Sequence, residues 1–261
     1  MNSKLSVSNI AWSSLQDMKM YGYLADHGYS GIEIAPTRIF PNNPYHELKE
    51  ASSFSECLYT EYGLKVSSMQ SIWYGKTENI FGSIFERDIL IEYTKNAVDF
   101  AEAMKCKNLV FGCPKNRIRN DRDVKYAYEF FEKVGAYAAD HGVVIALEAN
   151  PKIYNTDFIN FTSEAFSFVK NLNCAGVKVN LDIGTMIENK ESVKDLFDDF
   201  CYVNHIHISE PFLNPLQKRN LHVELKDLIN EKNYEGFVSL EMGNHPESLF
   251  DSLGYFEETF A

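Results

Sequence analysis

Four apolar segments of the sequence each end in a side chain that can bind a metal ion. The segments are VVIALE ending at Glu148, VKVNLD ending at Asp182, VNHIH ending at His207 and FVSLE ending at Glu241. Successive residues of this set lie 34, 25 and 34 positions apart, about the length of a strand followed by a helix. Charged side chains seldom end a buried strand unless they are paired or bind a metal. We therefore expect the four to form one metal site.

Three carboxylates and one imidazole form a ligand set that suits Mn²⁺, Mg²⁺ or Co²⁺, with Zn²⁺ also compatible. Four protein ligands on a six-coordinate ion leave two positions, which two adjacent sugar oxygens would fill. The metal would polarise a carbonyl and stabilise an enediolate while a carboxylate removes the neighbouring C–H proton. Glu148 and Glu241 are the predicted acid and base as well as ligands.

Two histidines compete for the imidazole position. His205 lies two residues before His207, so both point to the same face of their strand. His207 is nearer the carboxyl end of the strand and is the predicted ligand, with His205 as a buried hydrogen-bonding neighbour. His27 and His141 each precede a glycine at the end of a predicted helix, where they act as caps rather than ligands.

Eight strand-like segments alternate with eight helical ones, a pattern typical of parallel α/β proteins. The predicted strands are Lys4–Asn9, Gly31–Ala35, Lys65–Gln70, Asn108–Gly112, Val143–Ala149, Val177–Asp182, Tyr202–Ile208 and Phe237–Met242. The predicted helices are 14–27, 47–62, 86–105, 122–141, 163–172, 190–199, 223–232 and 247–259. Eight of each favour a closed (β/α)8 TIM barrel, whose chemistry lies at the carboxyl ends of the strands.

The 261 residues match the size of one such barrel, and we predict a single domain over residues 1–261. Five scattered cysteines without a CxxC motif, and no signal-peptide pattern at the start, predict a cytoplasmic protein with reduced thiols. A net charge of −12 disfavours nucleic acid and anionic membranes as partners. The expected partner is a small sugar or sugar phosphate, with a homodimer as a further expectation.

Six residues near predicted strand ends and in the loops after strands are candidate substrate contacts. Glu33 and Gln70 end the second and third strands, where the barrel mouth is expected. Trp12 and Tyr154 offer rings for stacking on a sugar, while Lys115 and Lys152, together with Arg117, are candidates for binding a phosphate or carboxylate.

These motifs resemble the xylose-isomerase-like TIM-barrel superfamily, and within it the sugar phosphate isomerase/epimerase group that includes the ketose 3-epimerases. The resemblance is carried by LEANP at 147–151, NLDIGT at 180–185, HIHISE at 205–210, SLEMG at 239–243 and GIEIAPT at 31–37, so it covers essentially the whole chain. In those epimerases a Glu, an Asp, a His and a second Glu bind the metal, and the two glutamates exchange protons with the substrate. The resemblance implies these roles for Glu148, Asp182, His207 and Glu241.

Two positions depart from the epimerase pattern. The ketose 3-epimerases have a histidine three residues after the metal-binding Asp, where this chain has Thr185, and an arginine six residues after the metal-binding His, where it has Leu213. Both family residues bind substrate oxygens. The resemblance therefore implies the metal chemistry more firmly than the identity of the substrate.

The predicted function is a divalent-metal-dependent isomerase or epimerase of a sugar, sugar phosphate or related polyol ketone. A metal-dependent dehydratase on a similar substrate and a non-catalytic sugar-binding barrel remain alternatives. A metal-dependent phosphodiesterase is disfavoured, because it needs a histidine-rich multinuclear site and the chain is acidic with seven histidines.

Overall fold

In the computed structural model, which describes residues 4–261, eight parallel strands close into a barrel. Each strand pairs with the next along the chain, and β8 pairs with β1. The strands are β1 (Lys4–Ser8), β2 (Gly31–Ile34), β3 (Lys65–Met69), β4 (Asn108–Phe111), β5 (Val144–Glu148), β6 (Val177–Asp182), β7 (Val203–Ile208) and β8 (Phe237–Leu240). The predicted (β/α)8 TIM barrel is confirmed, and each strand lies within its predicted range.

Nine α-helices occur in the described residues and cover the barrel. They are α1 (Asp17–Asp26), α2 (Pro36–Ile39), α3 (Leu48–Tyr62), α4 (Ile84–Ala103), α5 (Lys125–Asp140), α6 (Thr162–Leu172), α7 (Ile183–Asn189), α8 (Asn220–Glu231) and α9 (Leu249–Phe260). Their ends follow local sequence: Ser83 and Glu86 form a reciprocal cap at the start of α4, and Gly63 adopts a φ of 70° after α3, a conformation that favours glycine. No helix in residues 4–261 is long and apolar enough to cross a membrane.

The prediction of a helix at 190–199 was wrong. The helix after β6 is α7, which begins at Ile183, and residues Val193–Leu196 form only a 3₁₀ turn. The reason is that the Asp182 carboxylate accepts a hydrogen bond from the Thr185 backbone N–H at 2.6 Å, which caps a helix immediately after the strand. The same side chain therefore ends β6, starts α7 and faces the barrel mouth.

Two glycines allow α5 to pack closely against the start of β6. A Cβ added at Gly176 would lie 2.0 Å from the carbonyl oxygen of Gly135, and a Cβ added at Gly135 would lie 2.5 Å from a Val177 methyl. The start of β6 therefore packs directly against the backbone of α5.

We predict that Gly176→Ala destabilises the protein by about 1–3 kcal/mol, because the added methyl must push helix backbone away in a close-packed interior. The measurement is the midpoint of thermal or urea unfolding. Gly254→Ala is the matched control: Gly254 lies inside α9 with no atom within 4 Å of an added Cβ, so alanine should be neutral or stabilising there. Equal effects of the two substitutions would contradict the close-packing account.

Candidate metal centre

The four predicted strand-end residues lie at the carboxyl end of the barrel. Glu148 and Asp182 are the last residues of β5 and β6, and His207 is next to last in β7. Glu241 directly follows β8. Asp182 and His207 are register partners in adjacent strands, so the strand pairing itself places them side by side.

His207 is the centre of the cluster. Its Nδ1 atom lies 3.2 Å from Glu148 Oε2 and 3.1 Å from Glu241 Oε2. Glu148, Asp182 and His207 each provide a ligand atom within 4.8 Å of the others. The imidazole is fully buried, whereas the side chains of Glu148 and Glu241 are about a tenth exposed. The carboxylate side of the cluster is therefore the side that faces the mouth.

The opposite nitrogen of His207 is held by a carboxylate from another strand. Glu33 Oε2 lies 2.8 Å from His207 Nε2, and Glu33 is fully buried at the end of the barrel interior. When Nε2 donates its proton to Glu33, the lone pair of Nδ1 points toward Glu148 and Glu241. This carboxylate–histidine arrangement is the one that orients metal-binding histidines in proteins.

The remaining polar groups fix the carboxylates. Asn180 Nδ2 donates to Glu148 Oε2 at 2.7 Å, and Asn150 Nδ2 donates to Glu148 Oε1 at 2.9 Å. Ser209 Oγ donates to Asp182 Oδ2 at 2.6 Å. Each carboxylate oxygen can accept further contacts through its second lone pair, so these bonds orient the oxygens and leave them free to bind a cation.

The electrostatics of the cluster favour a cation. Burial raises the pKa of Asp182 to about 6, and the negative charge of Glu148 adds to that rise although His207 opposes it. Burial also raises the pKa of Glu241 to about 7, again against the opposing charge of His207. Three carboxylates crowded in a buried site repel one another, and a bound divalent cation would relieve that repulsion.

The neighbouring carboxylates favour the positively charged form of His207. Burial alone would lower the pKa of His207, but the surrounding Glu241 and Glu33 carboxylates raise that pKa well above its usual value. Burial alone would likewise raise the pKa of Glu33, yet the charge of His207 and the hydrogen bonds from both histidines lower it. Glu148, Asp182 and His207 therefore offer ligand atoms and a charge that suit a divalent cation, and the Glu241 carboxylate lies 3.1 Å from His207 Nδ1.

A second group of potential ligands shares His207. Glu33, His205 and His207 also provide atoms within 4.8 Å of one another, and His205 Nε2 lies 3.3 Å from Glu33 Oε2. All three side chains are 1% exposed or less. Because this group is closed to solvent and uses the nitrogen that faces away from the mouth, we assign it to the support of His207.

Three of the predicted substrate contacts, Glu33, Gln70 and Trp12, are buried side chains. Gln70 and Glu33 lie inside the barrel, where Gln70 Nε2 donates to Ser8 Oγ at 2.6 Å and also approaches Glu33. Burial of Glu33 beneath His207 runs against its predicted place at the substrate mouth. The Trp12 ring is buried, and its Nε1 donates to Asp17 at 2.8 Å, so its prediction as a sugar-stacking surface does not match its position.

The candidates after the strands also differ in how far they are buried. Tyr154 is half-buried, and its hydroxyl accepts a hydrogen bond from the Phe212 N–H at 2.8 Å. Burial raises its pKa, the hydrogen bond from Phe212 opposes that rise, and the charges of Asp182, Glu148 and Glu241 add to it. Lys115 and Lys152 are exposed loop residues.

Sequence reasoning named Arg117 among the candidates for binding a phosphate or carboxylate, but the structure buries its side chain completely. Its Nη1 donates to the Glu148 carbonyl oxygen at 2.8 Å, while Nε and Nη2 lack a hydrogen-bond partner among the described residues. Burial lowers its pKa to about 10, so it stays charged near neutral pH. Strand alternation is the signal for Asn180, which lies two positions before Asp182 and donates to Glu148 Oε2.

Comparison with known proteins gives the family. A family model described as xylose isomerase-like TIM barrel matches residues 22–259. The chain belongs to that family. No curated protein sequence matches it significantly.

Solved structures resemble the barrel over nearly its whole length. A 3-keto-D-glucoside 4-epimerase from E. coli is 18% identical with a TM-score of 0.75, covering 98% of this chain and 99% of the other. A D-psicose 3-epimerase from Clostridium cellulolyticum H10 is 15% identical with a TM-score of 0.76 and the same coverage. A probable 3-DHS dehydratase from Bacillus anthracis is 17% identical with a TM-score of 0.68, covering 97% and 98%. At these identities the likeness shows the fold.

We predict that Glu33→Gln weakens Mn²⁺ binding by about 10–100-fold, because the neutral amide holds the His207 ring and its tautomer less firmly. Isothermal titration calorimetry measures the affinity. Glu257→Gln is the matched control, since Glu257 also contacts a histidine, His27, at 3.1 Å, but on the outer surface of the protein. Unchanged affinity in Glu33→Gln would contradict the assigned support of His207.

Proposed function

We propose that the protein is a divalent-metal-dependent isomerase or epimerase of a sugar, sugar phosphate or related polyol ketone. The observation that carries the proposal is the convergence of Glu148 and Glu241 on one nitrogen of His207, at 3.2 and 3.1 Å, with Asp182 beside them. Membership of the xylose isomerase-like family and the presence of sugar epimerases among the structural neighbours support it.

The proposed metal ligands are Glu148, Asp182, His207 and Glu241, with Mn²⁺, Mg²⁺ or Co²⁺ favoured by the oxygen-rich set. A divalent cation there supplies the positive charge that polarises a substrate carbonyl and stabilises the negative charge formed when a neighbouring proton is lost. Its site opens toward the barrel mouth, where a small substrate enters.

The proton-transfer roles are assigned to the two glutamates. Glu148 comes from β5 and Glu241 from the end of β8, so two strands separate them in the barrel. A substrate bound at the mouth would then lie between the carboxylates of Glu148 and Glu241. One takes the proton from a carbon next to the carbonyl, and in an epimerase the other returns a proton to the opposite face. Asn180 and Asn150 hold Glu148 in position for this exchange.

A dehydratase on a similar substrate is the second candidate. The observation that favours it is the pair of departures from the epimerase pattern: Thr185 Oγ1 is used in a bond to the Ala149 carbonyl oxygen at 2.8 Å, and Leu213 offers no polar group. The first proton removal is common to both reactions, and the products differ.

A single domain, a cytoplasmic location and a homodimer stay predictions, and residues 1–3 of the predicted domain lie outside the described residues.

The test is hydrogen exchange from D₂O into a panel of free and phosphorylated ketoses, followed at each carbon by NMR with the Mn²⁺-loaded protein. We expect exchange at one carbon next to the carbonyl, and a loss of about 100-fold or more in Glu241→Gln, because removing a general acid–base group costs roughly that factor. Glu231→Gln, at the exposed end of α8, is the control and should retain full exchange.

Three outcomes count against the proposal in whole or in part. Absence of exchange in every sugar, with Mn²⁺ bound and the protein folded, would overturn the isomerase or epimerase function. Full exchange by Glu241→Gln would remove Glu241 from the proton transfer. A product that has lost water would assign the dehydratase reaction instead.

A further inference from the structure

The amino-terminal end of the barrel contains a cavity of about 670 Å³. It lies between the starts of β1, β3, β4 and β8 on one side and the last turns of α3 on the other. This is the end of the barrel opposite the candidate metal centre. Its volume is in the range of pockets that hold small organic ligands.

The cavity exists because β3 and β4 separate near their starts. Their backbone register consists of one pair, Met69 with Leu109, in the part of the chain that the structure describes. Below it, the Asn108 side chain spans the gap, donating to Ser68 Oγ at 2.9 Å and accepting from Asn204 Nδ2 at 2.7 Å. Bulky branched side chains usually fill a barrel of this type, whereas these small polar groups leave space.

The charge around the cavity is opposite to that of the whole chain. Four lysines line it, Lys4, Lys65, Lys105 and Lys107, against two glutamates, Glu56 and Glu235. None of these four lysines forms an ion pair within residues 4–261, although other lysines of the chain, such as Lys170 and Lys218, do. In a protein with a net charge of −12, this local positive group attracts anions.

The side chains on the walls and floor of the cavity indicate which other groups a ligand would need. Tyr59, Met104 and Phe237 provide apolar surface along the walls. His205 is 1% exposed and lines the floor, with its Nε2 3.3 Å from Glu33 Oε2. Apolar walls beside a group of lysines suit a ligand that has both an apolar body and an acidic group.

We propose that this cavity binds a small organic anion, with its acidic group at the lysines and an apolar body against Tyr59 and Phe237. This site is separate from the proposed catalytic centre, and its test does not depend on enzymatic activity. His205 forms the floor of the cavity and lies 3.3 Å from Glu33, which in turn contacts His207. The side chains of His205 and Glu33 would therefore separate a ligand in the cavity from His207.

The probe is 8-anilinonaphthalene-1-sulfonate, an aromatic sulfonate whose fluorescence rises in apolar surroundings. We expect saturable binding to the folded protein, weakened at least tenfold in the double variant Lys65→Glu/Lys107→Glu. The matched control is Lys49→Glu/Lys133→Glu, which makes the same charge change at two exposed lysines that have no ion pair among the described residues and do not line the cavity. The control should bind within about twofold of the parent.

A second variant separates the cavity from general charge attraction. Thr60→Trp places a large side chain at an exposed position on the cavity edge without changing charge, and it should also abolish dye binding while leaving the unfolding temperature unchanged. Full binding by Thr60→Trp, or equal losses in the two lysine pairs, would overturn the proposal. Because Asp182→Asn lies at the other end of the barrel, it should leave dye binding intact, so this result is independent of the proposed function.

Discussion

The hydrogen bond between His207 and Glu33 is the interaction on which the candidate site depends. It joins β7 to β2 across the barrel interior, with both side chains fully buried. Burying an imidazole and a carboxylate is costly unless each satisfies the other. This bond meets that requirement and also decides which nitrogen of His207 faces the mouth.

The rest of the centre follows from that choice. With Nε2 occupied by Glu33, Nδ1 is the nitrogen that meets Glu148 and Glu241. Asp182 joins them because β6 and β7 pair in a register that places it beside His207. The raised pKa values of Asp182 and Glu241 arise mainly from burial, which disfavours their charged forms. A divalent cation bound beside them would favour those charged forms again.

The sequence was sufficient for the barrel and for the residues that end its strands. Apolar runs with a period typical of buried strands marked all eight strands, and parallel strands of a barrel bring their carboxyl ends together. The position of α7 was missed because a hydrogen bond from Thr185 to Asp182 decides it, and a capping bond does not appear in a hydrophobic pattern. Glu33 and Arg117 were predicted to contact substrate, but both side chains are fully buried. Their burial depends on neighbouring strands and loops, which the spacing of residues in the sequence does not reveal.

The most direct test of the metal centre is the anomalous scattering of Mn²⁺ in crystals of the protein. The account predicts one peak between His207 Nδ1 and the carboxylates of Glu148, Asp182 and Glu241, at metal–oxygen and metal–nitrogen distances near 2.2 Å, in the usual range for such ligands. A peak on the other side of the ring, among Glu33, His205 and His207 Nε2, or no peak near His207 at all, would contradict it.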